Sequence, residues 1–402
     1  MSSLPAVADP AQVFSGLSDA EAEVLHQADR FARAELYPLA ARMDAEEWWP
    51  PEAFATIGRN GWFGITAPPA LGGSGADLFT AGLVLQAFGR WNHGLALSWV
   101  AHENLCLHNL LRNGSPDQVQ RYVPGLASGR LIGALGLTEP GAGSDALGSM
   151  RTTATLHGDH YRLNGTKLYI TNGPVADVLL VYAKTDPARG AQGISAFIVE
   201  KGFAGFRVAQ KLTKMGFRGS PTGELVFDDC RVPVANRVGD ENAGVRVVMS
   251  GLDLERAMVA PLCLGIAERA FELSLAYART REQFRQPIAS FQMVQDKLAR
   301  MYTAVQAMKL FTYQGLRAAS AIGERGDAGR GEIHMISAAS VMFAADSMNR
   351  VLDDALQIHG GSGYIWESEV NRLYRSIKLL EIGAGTTEVR KVIIAGELLK
   401  NP

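Results

Sequence analysis

At 402 residues and 47% hydrophobic content, the chain has room for about three domains at ~150 residues each and enough apolar side chains to fill their cores. Its 39 Lys plus Arg nearly balance 41 Asp plus Glu, which excludes a net field for nucleic acid, an anionic membrane surface or other polyanions; an anionic ligand must be held locally. Cys106, Cys230 and Cys263 lie too far apart for a CxxC metal site or a disulfide framework, so no metal is expected and a reducing compartment is.

Met1 to Phe14 carry neither a basic segment followed by an apolar run nor the Arg-rich amphipathic pattern of a transit peptide. The apolar run Ala257 to Ala267 is bounded by Arg256 and Glu268 and is too short to span a bilayer. Together these predict a cytoplasmic protein.

Ser18-Asp19-Ala20-Glu21 reads as a capping box, followed by Val24, Leu25, Ala28, Phe31, Ala32, Leu36 and Leu39 at helical spacing. The same periodicity returns around Leu83 to Phe88 and from His102 to Leu111, after a turn-rich break at Pro68 to Gly75. Residues 1–134 are assigned to an α-helical domain.

From 135 to 243 the texture changes to strand-like runs: His160 to Leu163, Lys167 to Thr171, Val178 to Ala183, Ile194 to Glu200 and Glu224 to Phe227. Asn164-Gly165 between the first two is a hairpin signal. The middle domain is predicted to be antiparallel β.

Helical patterns resume over 244–402, through Met249 to Thr280, Gln292 to Ala321, His334 to Ile358 and Thr387 to Leu399, with a kink expected at Pro261. The fold class is therefore α+β, with a helical domain on each side of a β domain and a C-terminal helical bundle.

Gly141-Ala142-Gly143-Ser144-Asp145-Ala146 matches GxGxxA, yet strands rather than an amphipathic helix are predicted after it, which argues against a nicotinamide-binding βαβ unit. Leu137-Thr138-Glu139-Pro140-Gly141-Ala142-Gly143-Ser144-Asp145 instead resembles the flavin-binding signature of the acyl-CoA dehydrogenase family, and Tyr169-Ile170-Thr171-Asn172-Gly173 resembles that family's second flavin segment. The likeness runs from Gly64-Ile65-Thr66-Ala67-Pro68 to the C-terminus, in the family's order and spacing.

The resemblance implies FAD as cofactor. Leu135, Leu137, Thr138, Gly143 and Ser144 would wrap the isoalloxazine edge, with Tyr169 as an aromatic wall in place of the family's frequent Trp, and Ile170 and Thr171 beside it. Taken alone, 167–171 reads as an ordinary strand. Arg281, Gln283, Phe284 and Gln292 are similar to the family's clamp on the FAD pyrophosphate and adenosine of a neighbouring subunit; alone, Arg279, Arg281 and Arg285 read as a solvated helix end. Gln357, Gly360 and Gly361 resemble the loop whose amides approach the partner's pyrophosphate, with His359 as a packing residue, and Thr386 and Glu388 complete the cofactor set. Sites shared between subunits imply an oligomer, by family expectation a homotetramer, with electron-transfer flavoprotein as electron acceptor.

The chain departs from the commonest branch of the family at Ala384, where that branch carries its catalytic Glu. Leu252-Asp253-Leu254-Glu255-Arg256 resembles the isovaleryl-CoA dehydrogenase branch, which takes its base from this helix; Ala101 to Cys106 and Leu110 to Gly114 echo the same branch. By resemblance Glu255 removes the substrate's α-proton, the Ala384 amide binds the thioester oxygen, and Ser144, Gln192, Asp253, Leu254, Arg256, Gly383, Ala384 and Gly385 surround an acyl-CoA. Outside the resemblance, Glu255 reads as one solvated or ion-paired helical glutamate. Small residues at 383 and 384 leave room for a methyl branch, which favours isovaleryl-CoA or a similar short branched substrate. Arg246 stands at a position that is aromatic in that branch. An oxidase, a desulfinase, an enzyme of carrier-bound thioesters and a non-catalytic binding protein are the other readings.

Overall fold

The computed structural model describes residues 16–323 and 331–400, so the reading of Met1 to Phe14 lies outside the described residues, as does the side chain of Asp253. Helix α1 (Asp19–Phe31) starts at the expected capping box: Ser18 Oγ accepts from the Glu21 N–H at 3.3 Å, and Glu21 Oε2 accepts from the Ser18 N–H at 2.7 Å. A π-helical stretch over Ala32–Leu36 leads to α2 (Tyr37–Glu46) and α3 (Pro51–Arg59), both with proline in the first turn, where its missing N–H has no helical partner to lose. The turn through Pro69–Leu71 feeds α4 (Leu78–Val100), capped by Asp77 Oδ1, which accepts from the Thr80 N–H at 2.8 Å. α4 is apolar on nearly every side because it is buried on nearly every side.

α4 continues through a π-helical segment (Ala101–His108) into α5 (Asn109–Asn113), and α6 (Pro116–Ala127) follows behind a second capping box, Ser115 with Gln118. The π-helical turn aims two buried polar side chains. Glu103 accepts from the Gly64 and Ile65 N–H groups, both at 2.7 Å, and burial pushes its pKa up to about 7 against those bonds. His102 accepts from the Gly133 N–H through Nδ1 at 2.9 Å and donates through Nε2 to the Leu126 carbonyl at 3.0 Å, which ties the helices to the first strand.

The strands are β1 (Gly133–Gly136), β2 (Thr153–His157), β3 (His160–Thr171), β4 (Val178–Lys184), β5 (Ile194–Glu200), β6 (Phe206–Lys211), β7 (Thr222–Pro233) and β8 (Arg237–Val238). Among the described residues they form an eight-stranded sheet in the order β6-β7-β3-β2-β4-β5-β8, with β1 on β4. Most pairs are antiparallel, as expected, but β1 runs parallel to β4 with Leu135 opposite Leu180. The loop 137–152 and the β2–β3 hairpin intervene between them, and that length of chain permits the crossover a parallel pair requires.

A second correction concerns Asn164-Gly165. The two runs either side of it are one strand, β3, and the hairpin turn is Gly158-Asp159, with His157 opposite His160. At Asn164-Gly165 the strand carries a bulge against β7 instead. Asn164 is tied across it: its Oδ1 accepts from the Asp229 N–H at 2.8 Å, and its Nδ2 donates to Asp229 Oδ1 at 3.1 Å. Gly165 has φ +152°, and a Cβ there would sit 2.4 Å from Thr152 Oγ1. Gly165→Ala is therefore expected to cost about 1–3 kcal/mol, from strain and overpacking together. A urea midpoint equal to that of the parent would refute this account of the bulge.

The C-terminal half comprises α7 (Gly244–Thr280), a ribbon of β9 (Glu282–Gln283) and β10 (Gln286–Pro287), α8 (Gln292–Gly323), α9 (Glu332–His359), α10 (Gly361–Tyr364), α11 (Glu369–Ile382) and α12 (Thr387–Leu398). α7 runs without a break through Pro261. α7 packs on α4 and α9, and α8 on α9. A buried polar chain crosses this core: Tyr313 donates to Gln86 at 3.0 Å, Gln86 donates to Glu268 at 2.9 Å, and Lys309 pairs with Glu268 at 3.1 Å. Among the described residues no helix is long and apolar enough to cross a membrane.

Candidate active site

The two segments expected to face flavin come from different parts of the chain and are locked side by side. β1, paired with β4, delivers Leu137-Thr138-Glu139 alongside β3, where the Leu168 N–H donates to the Thr138 carbonyl at 2.9 Å. Beneath that bond, Lys167, wholly buried, donates from Nζ to the Leu137 carbonyl at 3.0 Å and to Glu139 Oε1 at 2.8 Å. Glu139 in turn accepts from the Arg151 N–H at 2.7 Å and from the Thr152 N–H and hydroxyl at 3.0 and 2.5 Å. Burial draws Lys167 down to about 8, opposed by Glu139.

With Lys167 held inward, the register of β3 slips between Lys167 and Ile170, and Tyr169 takes φ 61° and turns outward, 65% exposed. Ile170 goes into the sheet core, so it presents only backbone outward, while Thr171 and Thr138 stay half-buried. Leu135 and Leu137 pack under the strand edge, and Ser144 is exposed. Asn172, φ 63°, donates to the Ser98 and Gly133 carbonyls at 2.8 and 3.2 Å. A Cβ on Gly141 or Gly143 would meet nothing within 4 Å. An outward ring, half-buried hydroxyls and open backbone on two segments joined by the Leu168–Thr138 bond fit a flat heterocycle, so the residues expected to hold flavin suit it.

Glu255 sits on α7 between buried Leu254 and buried Arg256, and burial raises its carboxyl from 4.5 to about 7, against the nearby positive charges of Arg256 and Arg390. Those charges also belong to the loop at 383–386. Arg256 Nε donates to the Ala384 carbonyl at 3.4 Å, and Arg390 on α12 donates to the Gly383 and Leu380 carbonyls at 2.6 and 3.0 Å. The structure thereby brings Glu255 and the acid-free position 384 to one place. Gly383, Ala384 and Gly385 are half-buried, Thr386 caps α12 through the Val389 N–H at 3.3 Å, and Glu388 is exposed. Tyr182, buried on β4, lies within electrostatic reach of Glu255, and its phenol is pushed up first by burial. Gln192 and Arg246 are both exposed, on the turn before β5 and in the first turn of α7.

The expected pyrophosphate clamp lies elsewhere. Arg281 ends α7, 26 positions after Glu255, which at about 1.5 Å per residue is roughly 39 Å along the helix. Gln283 belongs to the ribbon, Phe284 at its tip is 88% exposed with φ 51°, and Gln292 starts α8, exposed. Gln357, Gly360 and Gly361 come to the same end: His359 stacks on Tyr277 at 4.5 Å, and the Tyr277 hydroxyl donates to Ser362 Oγ at 3.3 Å. Gly360 and Gly361 face free space. These groups do not meet Glu255 of their own chain.

Three features escaped the reading of the sequence: the Glu139–Lys167 pair, buried Arg390, and Glu103 under the Gly64 turn. The first had a signal, since Glu139 stands inside the first flavin-like segment and an opposite charge, Lys167, two residues before the second. Arg390 had a weaker one, a charge one turn after an N-cap Thr. A groove of about 870 Å³ beside α8 and α9, lined by Asp296, Arg300, Phe343 and Asp354, shares no residue with these sites. Among the described residues no cluster of His, Cys, Asp and Glu could hold a metal ion.

Comparison with known proteins bears on all of this. Three family models match in succession: acyl-CoA dehydrogenase N-terminal domain over residues 18–130, middle domain over 134–230 and C-terminal domain over 242–399. The chain is 42% identical to a mitochondrial isovaleryl-CoA dehydrogenase of Oryza sativa subsp. japonica over 95% of its own length and 92% of that protein. Its structure resembles butyryl-CoA dehydrogenase from Megasphaera elsdenii with a TM-score of 0.90 at 34% identity, covering 96% of this chain and 100% of that one. A structure described as PigA with FAD and proline gives a TM-score of 0.90 at 30% identity, covering 97% and 100%.

Proposed function

The chain belongs to the acyl-CoA dehydrogenase family, and from that premise we propose that it carries out the α,β-dehydrogenation of a short branched acyl-CoA, isovaleryl-CoA or a near analogue, to the trans-2-enoyl-CoA, with Glu255 as the base. It is an oxidoreductase with FAD as its cofactor. The observation that carries the reading is the raised carboxyl of Glu255 beside a loop that bears no acid at 384. A pKa near 7 lets a carboxylate hold a proton from a carbon acid at neutral pH and release it again.

FAD, when bound, supplies the acceptor for the hydride that leaves the β-carbon. Glu255 takes the α-proton, and the Ala384 N–H donates to the thioester oxygen as charge builds there. Thr138 and Thr171 offer hydroxyls to the flavin, Tyr169 covers one face, and Leu135 to Ser144 line its edge. Ser144, Gln192, Asp253, Leu254 and Arg256 surround the thioester and CoA, and Arg246 gives that side a cation. Gly383, Ala384 and Gly385 leave space for the methyl branch.

Arg281, Gln283, Phe284, Gln292, Gln357, Gly360 and Gly361 are assigned to the FAD of a neighbouring subunit, joined by Thr386 and Glu388. The span of α7 between Glu255 and Arg281 supports this, because it exceeds the reach of one extended dinucleotide. A homotetramer accommodates such sharing, and electron-transfer flavoprotein is the proposed electron acceptor. Three buried free thiols accord with a reducing compartment, and the cytoplasm is the proposed one.

Anaerobic titration of the FAD enzyme with isovaleryl-, butyryl- and octanoyl-CoA tests the reading. Isovaleryl-CoA is expected to bleach the flavin fastest, with little peroxide formed once air is admitted. Bleaching by none of the three overturns the dehydrogenase, faster bleaching by octanoyl-CoA overturns the substrate, and rapid peroxide formation marks an oxidase.

A further inference from the structure

Buried Arg390 stands behind the loop that carries Ala384, and no part of the proposed chemistry uses it. Its Nη2 donates to the carbonyls of Leu380, 3.0 Å, and Gly383, 2.6 Å, whereas its Nε and Nη1 meet no acceptor. The Gly383 carbonyl and the Ala384 N–H share one peptide plane. Among the described residues no peptide is cis, and in a trans peptide the two bonds point in opposite directions. Drawing the carbonyl toward α12 turns the N–H away from it. From the other side Arg256 Nε donates to the Ala384 carbonyl, 3.4 Å, and so holds the next plane.

Between the two guanidinium groups Ala384 adopts φ 55°, a left-handed conformation that an L-residue takes only under constraint. Its N–H finds no acceptor among the described residues. A backbone donor with its carbonyl neighbours tied down and its hydrogen free is preorganised for a ligand oxygen.

We infer that Arg390 is a positioning residue: by holding the Gly383 carbonyl it aims the Ala384 N–H at the oxygen of a bound thioester in its enolate form. The inference rests on the thioester reading above. Cys263, Arg256, Asp346, Glu381, Glu255 and Glu388 are titratable groups within electrostatic reach of Arg390. Arg390 touches neither the substrate nor the reacting carbons; its charge also lowers the Glu255 pKa, so a ligand that meets the same Glu255 but offers no carbonyl separates that effect from the one on the Ala384 N–H.

The test compares two ligands on the FAD-loaded enzyme without turnover. A 3-oxoacyl-CoA thioester binds as an enolate and reports its ionisation by ultraviolet absorbance; the thioether S-(3-methylbutyl)-CoA has no carbonyl to bind. In Arg390→Gln, enolate binding is expected to weaken by about 10²-fold, the order reached when a reacting group is misplaced by an ångström. Thioether affinity stays within about twofold, well under the tenfold that 1.4 kcal/mol represents. Arg390→Lys, which keeps the charge but not the fork, is expected to fall between, and it carries the comparison if Arg390→Gln does not fold. Equal weakening of both ligands, or of neither, overturns the role of Arg390. A wild-type enzyme that binds no enolate overturns the thioester reading as well.

Discussion

Glu255→Gln is expected to lower kcat by about 10²–10⁴-fold, the usual contribution of a positioned general base, while FAD content and acyl-CoA binding stay near those of the parent. Glutamine keeps the shape of the side chain and cannot accept the proton. In the parent, kcat/KM should rise as pH passes through about 7, where Glu255 ionises. Stability should move the opposite way. The folded carboxyl holds its proton up to about 7 and the unfolded one only to about 4.5, so folding is favoured fully below 4.5 and that contribution is lost as pH climbs through 7. The glutamine variant lacks this slope and should gain on the parent in denaturant midpoint as pH rises from about 4.5 to about 7, with no further gain above that. Near-normal turnover in Glu255→Gln would remove the base assignment; turnover restored by Ala384→Glu in the Gln background would show that the acid works from either position.

Lys167→Met should destabilise the fold by about 3–5 kcal/mol, because it strands the buried Glu139 carboxylate without its cation. The loss has a functional side. Lys167 also ties the Leu137 carbonyl, one residue before Thr138, and it anchors the strand where the register slips to turn Tyr169 outward. Retention of FAD through gel filtration should therefore drop at urea concentrations where the sheet is still folded by circular dichroism. A stability change under about 1 kcal/mol would be the size of an exposed pair and would contradict the buried-pair account. A fully stranded Glu139 should be relieved in part by Glu139→Gln in the same chain, since an amide needs no counter-charge.

The helices were legible where local chemistry specifies them. Ser18 with Glu21 predicted the start of α1, and the periodicity over 249–280, 292–321 and 334–358 located the three long C-terminal helices to within a few residues. Asn164-Gly165 misled because its hairpin propensity is local, while its fate depends on β7: Asp229 pairs with Asn164 across the sheet and Thr152 fills the space where a side chain at 165 would lie. β1 was not read as a parallel strand because four residues carry no sign of which neighbour they will join.

The site divides along the same line. The residue series around Thr138, Tyr169, Glu255 and Ala384 stands in the sequence itself, in an order and spacing that resemble a flavin enzyme family, and it is that resemblance that implies a base on the helix at Glu255. That the Glu255 carboxyl is raised to about 7, that Arg256 and Arg390 hold the facing loop, and that Lys167 lies buried beside Glu139 were decided only by tertiary structure. The reason is physical. Residue type and spacing encode short-range preferences, whereas desolvation and ion pairing depend on what the rest of the chain packs around a group, and positions 255 and 390 become neighbours only after α7 and α12 have folded onto one core.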